Sequence, residues 1–266
     1  MHQTRPILRH CRLPGMLLAL CLPLLGWQAG ARVVTPAQFA DVTVTLDAAI
    51  KGMPALAADC RREGDRWAAK WRKDAAEAWR TDKFMRERGL RWTVERSYET
   101  ASVIGPYVSV LRTDYLNTGG AHPNTQMETI LWDGKAGKRI SIRPFFTEMA
   151  DGGPTMTALA ALVRKAVIAE KKARGIPAEM IADPEWLKGI EPKLTAIGPV
   201  TLTPSTEADK SAGLTIHFSP YAVGPYAEGS YVVFLPWQTF KSYLSATGAA
   251  VFAGARPETD VKKYAP

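Results

Sequence analysis

The chain has 266 residues, with 34 Lys and Arg against 26 Asp and Glu, four histidines and three cysteines. A chain this long buries a sizeable core without cross-links, which excludes a small disulfide scaffold. Its charge is modestly basic, and no basic cluster interleaved with aromatic residues points to nucleic acid.

Residues 1–31 read as a secretory signal peptide. Arg5, Arg9 and Arg12 form a positive start without an acidic residue. Residues 13–27 are almost wholly apolar, and Ala29-Gly30-Ala31 supplies the small residues that signal peptidase accepts. The apolar run contains Pro23 and falls short of the ~20 residues that span a bilayer. A retained anchor and a lipoprotein are the alternatives. Leu18-Ala19-Leu20-Cys21 is partly like a lipidation site, but Leu20 stands where a small residue is wanted. Cleavage near Ala31 predicts a periplasmic or secreted protein. The remaining chain has 31 basic and 26 acidic residues, a net charge of +5. Among its cysteines only Cys60 is left, expected as a small buried residue, with an intermolecular disulfide as the alternative. No further stretch is apolar enough to span a membrane.

The first strand is expected within residues 33–50, where Val42, Val44 and Leu46 alternate with Thr43, Thr45 and Asp47. Lys51-Gly52-Met53-Pro54 breaks it. Residues 55–80 follow a helical period, with Leu56, Cys60, Trp67, Trp71, Ala75, Ala78 and Trp79 on one stripe. That stripe reads as a core face, with a sugar-stacking platform as the alternative, and Gly64 is a candidate break. From Leu90 the pattern alternates. Trp92, Val94, Arg96 and Tyr98 open a run of strands that turns at Gly105-Pro106, again after Tyr115, and at Asp133-Gly134, an antiparallel meander. Residues 154–174 are helical, with Met156, Leu159, Leu162, Val163, Ala166 and Val167 on one face, and 184–188 a short turn. Strands follow near 200–203, 214–218 and 230–235. Pro236 opens a closing helix with Trp237, Phe240, Tyr243 and Leu244 inward. From Thr247 the chain is small and polar and reads as a loose tail.

Helices and strands mix without regular βαβ alternation, so the expected class is α+β, with antiparallel sheets packed with helices. The expected divisions are 1–31, a strand and Trp-rich helical segment over 32–89, an α+β domain over 90–246 that can form one unit with it, and the tail 247–266.

No P-loop, dinucleotide fingerprint or G-x-S-x-G elbow is present. After cleavage only His122 and His217 remain, far apart in sequence, so neither metal nor cofactor is expected. Two segments stand out. Tyr115-Leu116-Asn117-Thr118-Gly119-Gly120-Ala121-His122-Pro123-Asn124 places His122 on a tightly shaped turn. It reads as a binding or proton-transfer loop, or as a turn that the histidine holds through backbone bonds. Phe218-Ser219-Pro220-Tyr221-Ala222-Val223-Gly224-Pro225-Tyr226-Ala227-Glu228-Gly229-Ser230-Tyr231 is a tyrosine-rich loop. It offers rigid contact area, or packs over a sheet edge. The candidate ligand-binding residues are therefore Tyr115, Asn117, Gly119, Gly120, His122, Asn124, Tyr221, Tyr226, Glu228 and Tyr231.

Those motifs resemble one extracytoplasmic domain family. They are Tyr-x-x-x-Gly-Gly-Ala-His ending at His122, Leu131-Trp132-Asp133, Gly137-Lys138-Arg139-Ile140-Ser141, Pro144-Phe145-Phe146, Phe218-Ser219-Pro220-Tyr221, Pro225-Tyr226-Ala227-Glu228-Gly229 and Leu235-Pro236. The family is found in the lysozyme-binding part of the anti-sigma factor RsiV and in the non-catalytic N-terminal region of the peptidoglycan deacetylase PdaC. The resemblance runs over about residues 84–245. It implies an envelope-associated binding module with a lysozyme-like protein or a peptidoglycan fragment as partner. Deacetylase and anti-sigma activities are not implied, because no metal-binding histidine pair and no cytoplasmic region accompany the motifs.

The expectation is thus an exported, non-catalytic envelope domain that binds a lysozyme-like protein or a peptidoglycan-derived ligand. One alternative is an envelope hydrolase or carbohydrate-active enzyme that uses His122 with a carboxylate or serine. The other is a purely structural envelope protein.

Overall fold

A computed structural model describes residues 39–264, so the expected signal peptide, and Cys21 with it, lies outside the described residues. β1 (Ala40–Leu46) leads through a single turn, α1 (Ala48–Lys51), into the long α2 (Pro54–Thr81) and the short α3 (Lys83–Arg88). The meander follows as β2 (Trp92–Ile104), β3 (Tyr107–Asn117), β4 (Asn124–Asp133) and β5 (Lys138–Ile140). α4 (Pro154–Ala173) and two single turns, α5 (Ala178–Ile181) and α6 (Pro184–Leu187), precede the second set of strands. These are β6 (Val200–Pro204), β7 (Ser211–Phe218) and β8 (Tyr231–Pro236), followed by α7 (Ala246–Val251) and α8 (Glu258–Lys263). The class is α+β, as expected. All described residues belong to one compact unit.

The first sheet has the order β1-β2-β3-β4-β5 and the second the order β6-β7-β8. Every pairing is antiparallel except β1 with β2. That parallel pair was not anticipated. It requires the chain to travel back along the sheet, and the 28 residues of α2, about 42 Å of helix, make that return.

α2 lies on one face of the first sheet. Leu56, Ala57 and Cys60 pack on Leu46, Tyr98, Val108, Val110, Ile130 and Trp132, while Ala68 and Ala75 meet Val42 and Val94. Trp67 and Trp71 pack against this second group, and Trp71 meets Trp92 edge-on with ring centroids 5.8 Å apart. The tryptophan stripe is therefore a core face. Gly64 does not break the helix. A β-carbon there would stand 2.6 Å from Val44 Cγ1, so the bare glycine lets helix and sheet approach closely. Ion pairs seal the contact. Arg139 bonds Asp59 and Glu63 at 2.6 Å each, and Arg112 bonds Glu63 at 2.6 Å. Burial works to raise the Glu63 carboxyl, but Arg139 and Arg112 hold it below its ordinary value. Between them Cys60 is fully buried, and desolvation pushes its thiol up to about 12.

The larger core lies between α4 and the second sheet. Met156, Leu159, Ala160, Val163 and Val167 of α4 meet Leu202, Leu214, Ile216, Tyr231, Val233 and Leu235, with Phe145, Phe240 and Phe252 closing the end. The two sheets are stitched by hydroxyls. Ser102 Oγ donates to the Leu202 carbonyl at 2.6 Å, and Leu202 N donates to Ser109 Oγ at 3.0 Å.

Two expectations for the C-terminal part need correction. The closing helix after Pro236 is a kinked 3-10 segment over Trp237–Tyr243, with non-helical angles at Phe240. The loose tail is not loose. Ser245 caps α7 by accepting from Gly248 N at 3.1 Å, and Val251 and Phe252 are buried. α8 follows, held by Arg256 bonded to Asp260 at 2.6 Å. Apolar residues were too few there to show a period, but Val251 and Phe252 are buried and Phe252 meets Phe145 and Phe240 edge-on.

Candidate functional site

The two sequence segments singled out above meet. Asn117 ends β3, and its Oδ1 accepts from Gly119 N at 3.3 Å. Gly119 takes φ +85°, an angle that glycine adopts without steric cost. This shapes the turn that holds His122 out in solvent. His122 Nδ1 lies 2.9 Å from the Pro123 carbonyl, which can only accept, so Nδ1 carries the proton. Nε2 then accepts from the Tyr221 hydroxyl at 3.1 Å. Tyr226 stacks on the imidazole with centroids 3.8 Å apart and planes inclined by 22°. Tyr221 and Tyr226 are 5.5 Å apart, which completes a three-ring cluster. Tyr221 is half exposed and sits at φ +71°, a left-handed angle that costs a bulky residue strain.

Tyr221 also borders a cleft of about 490 Å³. Asn124, Thr125, Gln126, Met127 and Glu128 form one wall and Ser219, Pro220, Tyr221 and Ala222 the other. Ser219 Oγ accepts from Met127 N at 2.8 Å and pins the loop to β4. Most of the lining is amide, hydroxyl or carboxylate, so the cleft suits a polar ligand. Strand register extends this polar surface. Thr43, Glu95, Tyr115 and Thr125 stand in one row across β1 to β4, and Thr45, Ser97, Thr113 and Met127 in the next. Six of these side chains line a second hollow of about 190 Å³, and Tyr115 lies directly opposite Thr125, which belongs to the cleft. A third cavity, of about 270 Å³, runs between Glu128, Ile140 and Leu194.

Glu228 and Tyr231 are turned inward, away from the ring cluster. Tyr231 is fully buried, its hydroxyl donating to Glu228, and burial followed by that carboxylate raises its phenol. Lys171 of α4, equally buried, donates to Glu228 Oε2 at 2.9 Å. Arg174 donates to the Ser230 carbonyl at 2.9 Å and lies 4.1 Å from the Tyr231 ring. These residues hold the far end of the tyrosine loop to α4 rather than offering contact area. Lys171 escaped the sequence reading, although it continues the Val163, Val167 spacing of the buried stripe and so stands where an apolar residue was due. Ser219 escaped too, because serine in a loop carries no distinguishing pattern.

Neither nitrogen of His122 meets a carboxylate or a serine among the described residues. His217 lies elsewhere, fully buried on β7. Its Nε2 is 2.9 Å from Thr201 Oγ1 and its Nδ1 has no partner. Burial above all, with Lys263 adding to it, lowers its imidazole to about 4. Among the described residues no three His, Cys, Asp or Glu side chains gather as a metal site requires. No helix among them is long and apolar enough to cross a membrane.

Comparison with known proteins places the chain beside one family. No functionally curated protein matches the sequence. The crystal structure of a DUF3298 family member from Bacteroides fragilis NCTC 9343 aligns with TM-score 0.51 at 17% identity, over 78% of this chain and 85% of that one. A DUF3298 family protein from Pseudomonas aeruginosa PAO1 gives TM-score 0.43 at 18% identity, over 65% and 73% of the two chains. The first of these likenesses concerns the fold alone. Residues 150–238, which include α4, the second sheet and the tyrosine loop, match the profile of a family described as "Protein of unknown function (DUF3298)".

Proposed function

We propose that this protein is an exported, non-catalytic envelope domain whose ligand is a peptidoglycan fragment, taken up in the cleft beside His122, Tyr221 and Tyr226. The observation that carries this reading is the three-ring cluster on the rim of a polar cleft. Stacked rings offer a face to the apolar side of a sugar, and the amides and hydroxyls of Asn124, Gln126 and Ser219 suit its hydroxyl and acetamido groups. The sequence resemblance to the RsiV and PdaC envelope modules supports an envelope ligand, either a peptidoglycan fragment or a lysozyme-like protein. A lysozyme-like partner fits less well, because lysozymes are often basic and this chain is basic from residue 32 on.

Calorimetric titration with disaccharide-peptide muropeptides and, separately, with lysozyme tests the reading. Muropeptides are expected to give saturable heat that falls at least tenfold in affinity in the His122→Ala, Tyr226→Ala double variant. Heat with lysozyme alone, or muropeptide binding indifferent to those two residues, overturns it.

A further inference from the structure

We propose that the outer face of α2, continued by α3, docks the protein on an anionic phospholipid surface. Arg62, Arg66, Ala69, Lys73, Ala76 and Arg80 follow one another at steps of four and three, so they form a single line along the helix. This line lies opposite the buried stripe of Leu56, Cys60, Gly64, Ala68 and Ala75. The basic residues on it are all exposed. Carboxylates offset part of the charge. Asp59 pairs with Arg62 at 3.1 Å, Asp74 with Lys70 at 2.5 Å, and Glu77 with Arg80. Arg61, Arg66, Arg72 and Lys73 meet no carboxylate among the described residues.

The charge is concentrated here. Residues 61–88 carry ten basic and six acidic side chains, a net of +4, against +5 for the whole chain from residue 32 on. One of the six, Glu63, faces inward to Arg112 and Arg139 and presents nothing to the outer face. The line of cations extends over most of a helix about 42 Å long, a straight edge suited to a plane of headgroups.

α3 adds the apolar contact. Asp82 caps it, accepting from Phe84 N at 2.8 Å, and Arg86 ties it back by donating to the Trp79 and Arg80 carbonyls at 3.0 and 2.6 Å. Phe84 is thereby held 52% exposed among Lys83, Arg86 and Arg88, with the Arg88 guanidinium 4.9 Å from its ring. Lys83 pairs with Glu87 at 3.4 Å, which leaves Arg86 and Arg88 as the cations beside the ring, and an exposed ring flanked by guanidinium groups is what an interface of phosphates over acyl chains accommodates. The mixed geometry favours a lipid surface over a polyanion in solution, which has no use for a single unstacked phenylalanine.

Co-sedimentation of the purified protein with vesicles of 30% phosphatidylglycerol in phosphatidylcholine tests this. Binding is expected in 50 mM salt and lost in 0.5 M, where the Debye length falls to about 4 Å. Vesicles of phosphatidylcholine alone should retain nothing. Each basic residue near such a surface is worth about fivefold in partition, so Arg66→Gln, Lys73→Gln should cost about twenty-fivefold. Phe84→Ser should cost several-fold more at constant charge. Both are surface changes, and unchanged circular dichroism confirms the fold. Equal binding by the double glutamine variant, equal binding to neutral vesicles, or retention on heparin without vesicle binding overturns the proposal.

Discussion

His217 is the side chain whose protonation bears most directly on stability. Its imidazole is lowered to about 4 from an ordinary 6.5, so between those values the unfolded chain takes up a proton that the folded one refuses. Stability is unaffected above pH 6.5, falls as pH drops through the window, and is lower by about 3 kcal/mol once pH passes 4. Denaturant melts at pH 7 and pH 4.5 read this directly. His217→Gln should flatten the difference between them by most of that amount. At this scale the sequence was informative about composition and poor about neighbours. His122, Tyr221 and Tyr226 could be chosen because Gly, Pro and aromatic residues mark irregular, rigid loops. Nothing local indicated that a ring at position 122 would stack on one at 226. Glu228 and Tyr231 were chosen for the same compositional reason, and they face inward because their partner, Lys171, sits on a distant helix.

At the scale of elements, the Lys171–Glu228–Tyr231 link is a join between α4 and the tyrosine loop. Both charges are almost wholly withdrawn from water, with side-chain exposures of 0% and 6%. Removing one leaves the other buried and unpaired, which costs about 3–5 kcal/mol. Lys171→Met alone and Glu228→Gln alone should therefore each lower thermal stability strongly. The pair of substitutions together should recover much of the loss, and a double-mutant cycle by thermal melts measures the coupling. The single variants should also loosen the loop that carries Tyr221 and Tyr226. Strong periods made α2, α4 and the meander legible, since each repeats its signal over three or more turns or pairs. The short elements were not. α7 and α8 have six residues each, too few for any period; Phe252 after α7 meets Phe145 and Phe240, and α8 is held by Arg256 on Asp260.

For the molecule as a whole, the two sheets behave as one body if their stitching counts. Ser102 and Ser109 saturate both backbone groups of Leu202 at a dry junction. Ser109→Ala leaves a buried N–H without a partner, at a cost of about 1–3 kcal/mol. The loss should be felt in both halves. Trp71 and Trp92 report on the first sheet, and Trp237 lies against the second core. Trp67 and Trp132 also lie in the first-sheet cores, so phenylalanine at Trp186 and Trp237 leaves the first-sheet signal, and Trp237 kept alone among the described tryptophans leaves that of the second core. The two fluorescence transitions should coincide and shift together in the serine variant, and two separated midpoints would show independent sheets. The α+β class was readable from the order of patterns alone. The division into two sheets was not, because strand pairing joins residues far apart in the sequence, which no local pattern reveals.

Cys60, on the inner face of α2, gives the protein a built-in clock. From residue 32 on it is the only cysteine, and with its thiol pushed up to about 12 it is almost silent toward thiol reagents in the closed state. Any reagent that does couple to it must wait until helix and sheet part, so the labelling rate counts openings of that seam and of no other. The same helix turns its cationic line outward. Contact with a charged surface would then be heard on the inner side, as a change in how often the clock ticks.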